Sequence, residues 1–142
     1  MNASDLTELL ERFFEPDFDD AAAQARLGRA AAPAGAERVD LVPADPAVAA
    51  AHLEHFRDQL VGVSLVLATG VPGGREAIEQ RFGPFRDAAR LHHDDPPRLE
   101  QTVHRPSFDG ALVVEIAPGP APAPLVGVVA RRFPTAWTGG GS

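Results

Sequence analysis

Hydrophobic residues recur every three or four positions in the first part of the chain, as in an amphipathic helix, and every second position in the last part, as in a strand. Breaks rich in Pro and Asp separate the later segments, and short breaks join antiparallel neighbours. The pattern predicts an α+β fold in which N-terminal helices pack on a C-terminal antiparallel β-meander, as a two-layer sandwich or a curved sheet. We expect one domain over residues 1–137 and a flexible Gly-rich tail over residues 138–142.

The first helix has the clearest pattern. Asp5 is its expected N-cap, and Glu8, three residues later, completes a capping box. Pro16 ends the helix near Glu15. We expect the helix to dock on the domain's own core, because burial of its apolar face is favourable; insertion into a partner's groove is the alternative. Five residues form that face: Leu6, Leu9, Leu10, Phe13 and Phe14.

An Ala-rich segment over residues 18–32 predicts a second helix, which Pro and Gly break after residue 32. Residues 38–42 alternate between polar and apolar side chains. They predict a short strand with Val39 and Leu41 on one face.

A third helix is predicted to start at Asp45 and Pro46, since Asp accepts free backbone N–H groups and Pro fits the first helical turn. Its apolar face runs to Leu60. His52 and His55 would lie side by side at positions i and i+3, where two imidazoles can converge on a metal ion. No third ligand is in register, so the competing interpretation is two histidines at the edge of an apolar face.

Residues 61–69 form a continuous apolar, β-branched run that fits a buried strand. The alternative is a continuation of the preceding helix, with Gly62 tolerated inside it at a cost of about 1 kcal/mol. The run is followed by a glycine turn and a short helix to Phe82.

That glycine turn, residues 70–75, is the best indication of a small-ligand site. If residues 61–69 are a strand, Gly73, Gly74 and Arg75 lie at a helix N-terminus, where free N–H groups bind anions. Arg75 opposes the helix dipole unless an anion or a nearby carboxylate compensates it. The specific nucleotide-binding fingerprints are absent, so a plain turn is the competing interpretation.

Four strands are predicted in the last third of the chain. In the third strand, Leu112, Val114 and Ile116 share a face. The fourth carries apolar residues on both faces, with Leu125, Val129 and Phe133 on one and Val126, Val128 and Ala130 on the other, which predicts a central or doubly covered strand. The four strands are residues 86–93, 98–105, 110–117 and 125–133.

Acid–base chemistry is concentrated at the turn between the first two of these strands. A His beside a carboxylate can act as a general base, and the turn has the sequence His92, His93, Asp94 and Asp95. Adjacent strand residues face opposite sides, so at most one His and one Asp can share a site. A turn that favours Asp and Pro explains the same motif.

The predicted hairpin around this turn separates the histidines. It places His93 opposite Arg98 and His104 opposite Asp87, about 20 Å away along the strands. His104 is therefore not expected to join the turn.

Composition excludes several function classes. There is no cysteine, which excludes disulfides, thiolate metal sites and Cys nucleophiles. All 13 basic residues are Arg, a bias that a high-GC genome explains. The net charge of -7 argues against binding to a nucleic-acid backbone. We expect no cofactor.

Negative charge is concentrated at the N-terminus, where residues 1–20 hold seven of the 20 acidic residues against a single Arg. Glu8, Glu11 and Glu15 are thus candidate contacts for a partner with a basic surface, or simply a solvated face. Trp137, after the last strand, is a candidate anchor for a partner or a cap on the core.

These observations predict a small cytoplasmic protein, because neither a signal peptide nor a long apolar run is present. We expect a non-catalytic binding or regulatory protein that acts through a protein surface, as an adaptor, immunity factor or chaperone. The alternative is a small-molecule-binding domain or enzyme that uses the turn at residues 70–75 or the cluster at residues 92–95. Oligomeric state is not predicted, and no membrane contact is expected.

Overall fold

The computed structural model describes residues 1–31, 37–88, 97–119 and 123–139. The elements follow one another as α1 (Ala3–Phe13), α2 (Asp20–Leu27), β1 (Arg38–Leu41), β2 (Val48–Phe56), β3 (Gln59–Val71), α3 (Gly74–Phe82), β4 (Arg86–Ala88), β5 (Arg98–His104), β6 (Phe108–Ile116), β7 (Leu125–Pro134) and α4 (Thr135–Gly139).

The seven strands form one antiparallel sheet in the order β1-β2-β3-β7-β6-β5-β4. The predicted α+β fold and the central position of the last strand are confirmed. Three strands precede α3, however, so the sheet is not confined to the C-terminal part of the chain. The pairing of β3 with β7 joins the early strands to the later meander.

Helices α1, α2 and α3 cover one face of the sheet, which we call the inner face; the opposite side is the outer face. The predicted apolar face of α1 is fully buried in a core that also contains Ile78 of α3. The rings of Phe14 and Phe82 lie 6.0 Å apart and connect α1 with α3. Inner-face residues of the strands complete the core, among them Val39, Leu41, Leu53, Val63, Leu65, Leu112, Val114, Val128 and Ala130.

The N-cap of α1 is Asn2, and the prediction of Asp5 as N-cap is wrong. The Asn2 side chain accepts a hydrogen bond from the Asp5 backbone N–H at 2.8 Å, and Asp5 is the last residue of the capping box, at position N3, instead of the first. Asn2 and Asp5 both suit an N-cap, and a helix that starts after Asn2 is nearly one turn longer than one that starts after Asp5.

The second helix is shorter than predicted, because α2 ends at Leu27 and Gly28 is its C-cap. Gly28 has a φ of +135°, and a Cβ there would lie 1.8 Å from the Val42 carbonyl oxygen. The chain then forms a bridge between Ala30 and Leu41, beside the edge strand β1. Pairing with β1 therefore replaces the last predicted helical turn.

The third predicted helix is wrong, since most of this segment is strand β2. Asp45 does not cap a helix; its carboxylate accepts hydrogen bonds from the N-terminal ammonium of Met1 at 2.7 Å and from the Ala47 N–H at 2.8 Å. These bonds, led by the one from the ammonium, lower the pKa of Asp45. The Ala-rich sequence of β2 favours a helix locally, but pairing with β1 and β3 on both sides overrides that preference.

Residues 61–69 belong to strand β3, so the strand interpretation is correct. A two-residue turn joins β2 to β3, and both of its residues, Arg57 and Asp58, have positive φ (53° and 60°). Such turns match the twist of the paired strands but normally use Asn and Gly.

Asp58→Gly is therefore expected to stabilise the protein by about 0.5–1 kcal/mol, because Gly occupies the left-handed region without steric cost. Urea denaturation followed by circular dichroism measures the change. Ala68→Gly, at an exposed position of β3, is the matched control and should destabilise the protein by a similar amount. A loss of stability in both variants would contradict this account of the turn.

The predicted register of the β4–β5 hairpin is wrong. Arg98 pairs with Ala88 and not with His93, so the connection is longer than a tight turn. His104 pairs with Asp109 of β6, with 2.9 Å between Nδ1 and the carboxylate. Both errors come from assuming that the Asp- and Pro-rich segment closes the hairpin directly.

The predicted faces of β7 are correct only in part. Val129 and Phe133 do share the outer face, but Leu125 is buried with Val128 and Ala130 on the inner face. A register shift causes the difference, because Glu115 pairs with Gly127 whereas the next residue of β6 pairs with Leu125. The extra residue reverses the alternation.

Candidate functional site

The outer face has a central strip of small and β-branched side chains on β3, β7 and β6. Cross-strand pairing aligns these residues, since Ser64 pairs with Val129 and Val129 with Val113. Val66 pairs with Gly127 in the next row. The strip consists of Gly62, Ser64, Val66, Ala111, Val113, Gly127 and Val129, and at its end Arg131 of β7 lies between Gly62 and Ala111.

Large apolar side chains on this face are open to solvent. Val66 is 51% exposed, Phe56 52% and Phe133 37%, and all three lie on the outer face. Such exposure is costly for apolar surface and is typical of interaction sites. Within the described ranges no helix covers the strip.

Charged pairs of both signs border the strip. Arg38 and Asp40 form an ion pair of 3.0 Å on β1, and His52 and Glu54 lie 3.3 Å apart on β2. On the other side Arg98 of β5 pairs with Glu115 of β6 at 3.3 Å. The border is polar, with its charges largely balanced.

A cavity of about 510 Å³ opens at one end of the outer face, and we call it the end cavity. Phe56, Val61 and Phe133 supply its apolar surface. Arg131 extends from β7, where its Nε lies 3.5 Å from the Glu54 carboxylate. The remaining lining residues are Glu37, Arg38, Glu54 and His55.

Trp137 lies beside this cavity. Its ring and that of Phe56 are 5.8 Å apart in an edge-on arrangement, and the Arg57 guanidinium lies over both rings at 5.2–5.3 Å. Trp137 therefore packs on the turn between β2 and β3. The sequence analysis suggested that it anchors a partner or caps the core, and its role as an anchor stays a prediction.

Arg132 is the one buried cation among the described residues, and the sequence analysis missed it. Its guanidinium donates hydrogen bonds to the backbone oxygens of Phe13, Glu15, Phe18 and Leu60, at 2.6 Å for Phe18 and 3.1 Å for Leu60. Burial lowers its pKa to about 10, opposed by the charges of Asp19 and Asp20. Arg132 thus ties the end of α1 to the sheet.

The two histidines proposed as a metal pair do not converge. His52 contacts Glu54, whereas the Nε2 of His55 lies 2.8 Å from the Asp20 carboxylate of α2. The premise of a shared helix face is wrong, because residues three apart on a strand diverge. In the parts of the chain that the structure describes, no three His, Asp or Glu residues could hold a metal ion.

Gly73, Gly74 and Arg75 do lie between a strand and a helix, as predicted, with Gly73 as the N-cap of α3. The Nε of Arg75 lies 3.2 Å from Glu79, one turn later on the same helix. A carboxylate of this chain therefore compensates Arg75, and anion binding at this turn stays a prediction.

Each of the three acidic residues proposed as partner contacts, two on α1 and one just after it, has an Arg partner in the same chain. Glu8 pairs with Arg26 at 3.2 Å, Glu11 with Arg105 at 3.4 Å, and Glu15 with Arg12. The pairs reduce the charge that α1 offers to a basic partner. The cluster His92, His93, Asp94 and Asp95 lies outside the described residues.

The sequence analysis missed both the buried Arg132 and the outward-facing Arg131, although the alternation along β7 indicates the position of each. Val128 and Ala130 were predicted on one face, and extending the pattern by two residues puts Arg132 inside. The same step puts Arg131 outside with Val129 and Phe133. What the sequence did not show was which of the two apolar faces the helices cover.

No helix in the described ranges is long and apolar enough to cross a membrane. Comparison of the chain with protein-family models, with curated proteins and with solved structures found no match.

Proposed function

We propose that this protein is a non-catalytic binding protein that acts through the outer face of its sheet, and that the partner contributes an amphipathic helix. The observation that carries the proposal is the exposed apolar strip, with Val66 half exposed at one end of it, on β3. Burying such a side chain in a complex is favourable by about 1.5–3 kcal/mol.

The dimensions of the strip fit a helix. The outermost of its three strands, β3 and β6, are two strand spacings apart, about 10 Å, which is close to the diameter of a helix with its side chains. From Gly62 to Val66 the strip is about 13 Å long, which matches two to three helical turns. Glycines at two of its positions allow a close approach.

The borders define the chemistry of the partner. Arg38, Asp40 and Glu54 stand on one side of the strip, and Arg98 and Glu115 on the other. Charges of both signs suit a helix whose apolar stripe is flanked by acidic and basic residues. A strongly basic partner fits α1 better than this face, and the test distinguishes the two.

Affinity capture from an extract of the source organism, with four immobilised forms of the protein, tests the proposal. Val66→Glu should abolish capture of the partner, because an unpaired carboxylate in an apolar contact costs at least about 2 kcal/mol, roughly 30-fold in affinity. Val42→Glu is the matched control, since Val42 is 39% exposed but lies beyond the end of β1. A triple variant with Glu8, Glu11 and Glu15 changed to Arg probes the acidic helix.

The proposal requires a protein that the wild type, Val42→Glu and the triple variant capture and Val66→Glu does not. Its contact segment, made as a peptide, should bind the protein in calorimetry and gain helical circular dichroism on binding. Equal capture by Val66→Glu, or loss of capture only in the triple variant, would overturn the proposal.

A further inference from the structure

We infer that the end cavity binds a small zwitterionic ligand, one that joins an aromatic or bulky apolar group to one cation and one anion. This inference does not rest on the proposed docking of a helix, because no residue of the central strip lines the end cavity, which adjoins the strip at Arg131. Its volume of about 510 Å³ is within the range of small-molecule sites.

The apolar part of the ligand is inferred from the cavity surface. Phe56 and Phe133 come from β2 and β7 and are both substantially exposed, while Val61 between them is buried. Two aromatic rings open to water at one cavity offer a contact surface for a planar group.

The cavity has an anionic side and a cationic side. On the β1 side, the carboxylate of Glu37 has no hydrogen bond or ion pair with any described residue, and the neighbouring Arg38 is balanced by Asp40. On the β7 side, the Nε of Arg131 lies 3.5 Å from Glu54, and its terminal nitrogens make no hydrogen bond to a described residue. The terminal nitrogens of Arg131 therefore keep their donors for a ligand.

The spacing of the two sides suits a small molecule. Arg38, Glu54, Gly62 and Arg131 are successive cross-strand neighbours, so three strand spacings, about 14 Å, separate the backbones of Arg38 and Arg131. The lining side chains occupy part of that distance, which leaves room for a molecule the size of an amino acid or a dipeptide. A ligand with a single charge would satisfy one side and be repelled by the other.

Trp137 makes the inference directly testable. It is the only tryptophan, there is no tyrosine, and its ring contacts Phe56 of the cavity wall. Titration with phenylalanine, phenylalaninamide, N-acetylphenylalanine and N-acetylphenylalaninamide varies the two charges independently and can be followed by tryptophan fluorescence and by calorimetry. We expect phenylalanine to bind with a Kd of about 1 mM, as its size allows, and the doubly blocked compound at least tenfold more weakly.

Variants assign each charge to its side of the cavity. The Arg131→Gln variant should bind phenylalanine only as tightly as the wild type binds phenylalaninamide. The Glu37→Gln variant should bind phenylalanine only as tightly as the wild type binds N-acetylphenylalanine. Phe133→Ala should abolish binding of all four compounds. Arg98→Gln is the matched control, because this outer-face arginine is also paired through its Nε but lies away from the cavity, and its affinities should equal those of the wild type.

A capped Arg-Phe-Glu tripeptide tests whether the ligand is a peptide or a free amino acid. Its side chains supply a cation, an aromatic ring and an anion, the same three groups that phenylalanine carries. Tighter binding of the tripeptide than of phenylalanine identifies a peptide ligand, and the reverse identifies a free amino acid. The inference is overturned if the doubly blocked compound binds as well as phenylalanine, if Phe133→Ala changes nothing, or if no compound binds up to its solubility limit. None of these results depends on capture of a helix by the central strip.

Discussion

Arg132→Met is expected to lower the free energy of unfolding by about 3–5 kcal/mol, which is a large part of the stability of a domain of this size. Methionine fills most of the space but donates no hydrogen bond. Four backbone oxygens, on Phe13, Glu15, Phe18 and Leu60, then lose a donor in the interior. Urea denaturation, followed by circular dichroism and by Trp137 fluorescence, gives the change.

Arg131→Met is the matched control for this measurement. Arg131 is the next residue along β7 but points to the outer face, where its side chain is about half exposed and its pair with Glu54 spans 3.5 Å. Loss of such a pair costs less than about 1 kcal/mol. Similar losses in the two variants would show that Arg132 does not tie α1 to the sheet.

Arg132→Lys separates charge from hydrogen bonding. The low pKa of Arg132, caused by burial, means that the folded state disfavours the charged form, so the charge itself costs stability at neutral pH. The carbonyl oxygens and the rings of Phe13 and Phe108, 4.9 and 4.3 Å from the guanidinium, offset that cost. A lysine keeps the charge but loses the planar fork, and we expect its stability to lie between those of methionine and arginine.

Local patterns in the sequence identified those elements whose local preference agrees with the fold. The apolar face of α1, the alternation of β1 and the glycine turn before α3 all have one favourable arrangement. Strand β2 is the counterexample, because its alanines favour a helix and only pairing with β1 and β3 makes it a strand. The same error produced the metal pair of His52 and His55.

The candidate site depends on information that a single sequence does not contain. β7 is apolar on both faces, and the sequence does not say that the helices cover the side of Val128 and leave Val129 open. The end cavity combines residues from β1, β2, β3 and β7, which the order along the chain does not bring together. By contrast, the inward position of Arg132 could be predicted. Side chains alternate between the two faces along a strand, so Arg132 lies on the same face as Ala130.

Gly110→Ala is the second substitution with a large expected effect. Gly110 lies on the inner face of β6 opposite Arg132, and a Cβ at this position would lie 2.1 Å from the backbone oxygen of Arg131 and 2.7 Å from the ring of Phe14. The oxygen belongs to the paired strand and cannot rotate away as a side chain would. We expect a loss of about 3 kcal/mol or more, because β6 and β7 or the end of α1 must shift.

Gly127→Ala provides the comparison within the same pair of strands. Its new Cβ would point to the outer face and lie 3.5 Å from the Glu115 Cβ, an ordinary contact, so the variant should be as stable as the wild type or gain up to about 1 kcal/mol. Denaturation of both variants measures the difference. If the two alanines had equal effects, the close approach of α1 to the inner face at Gly110 would be wrong, and with it the assignment of the helices to that face.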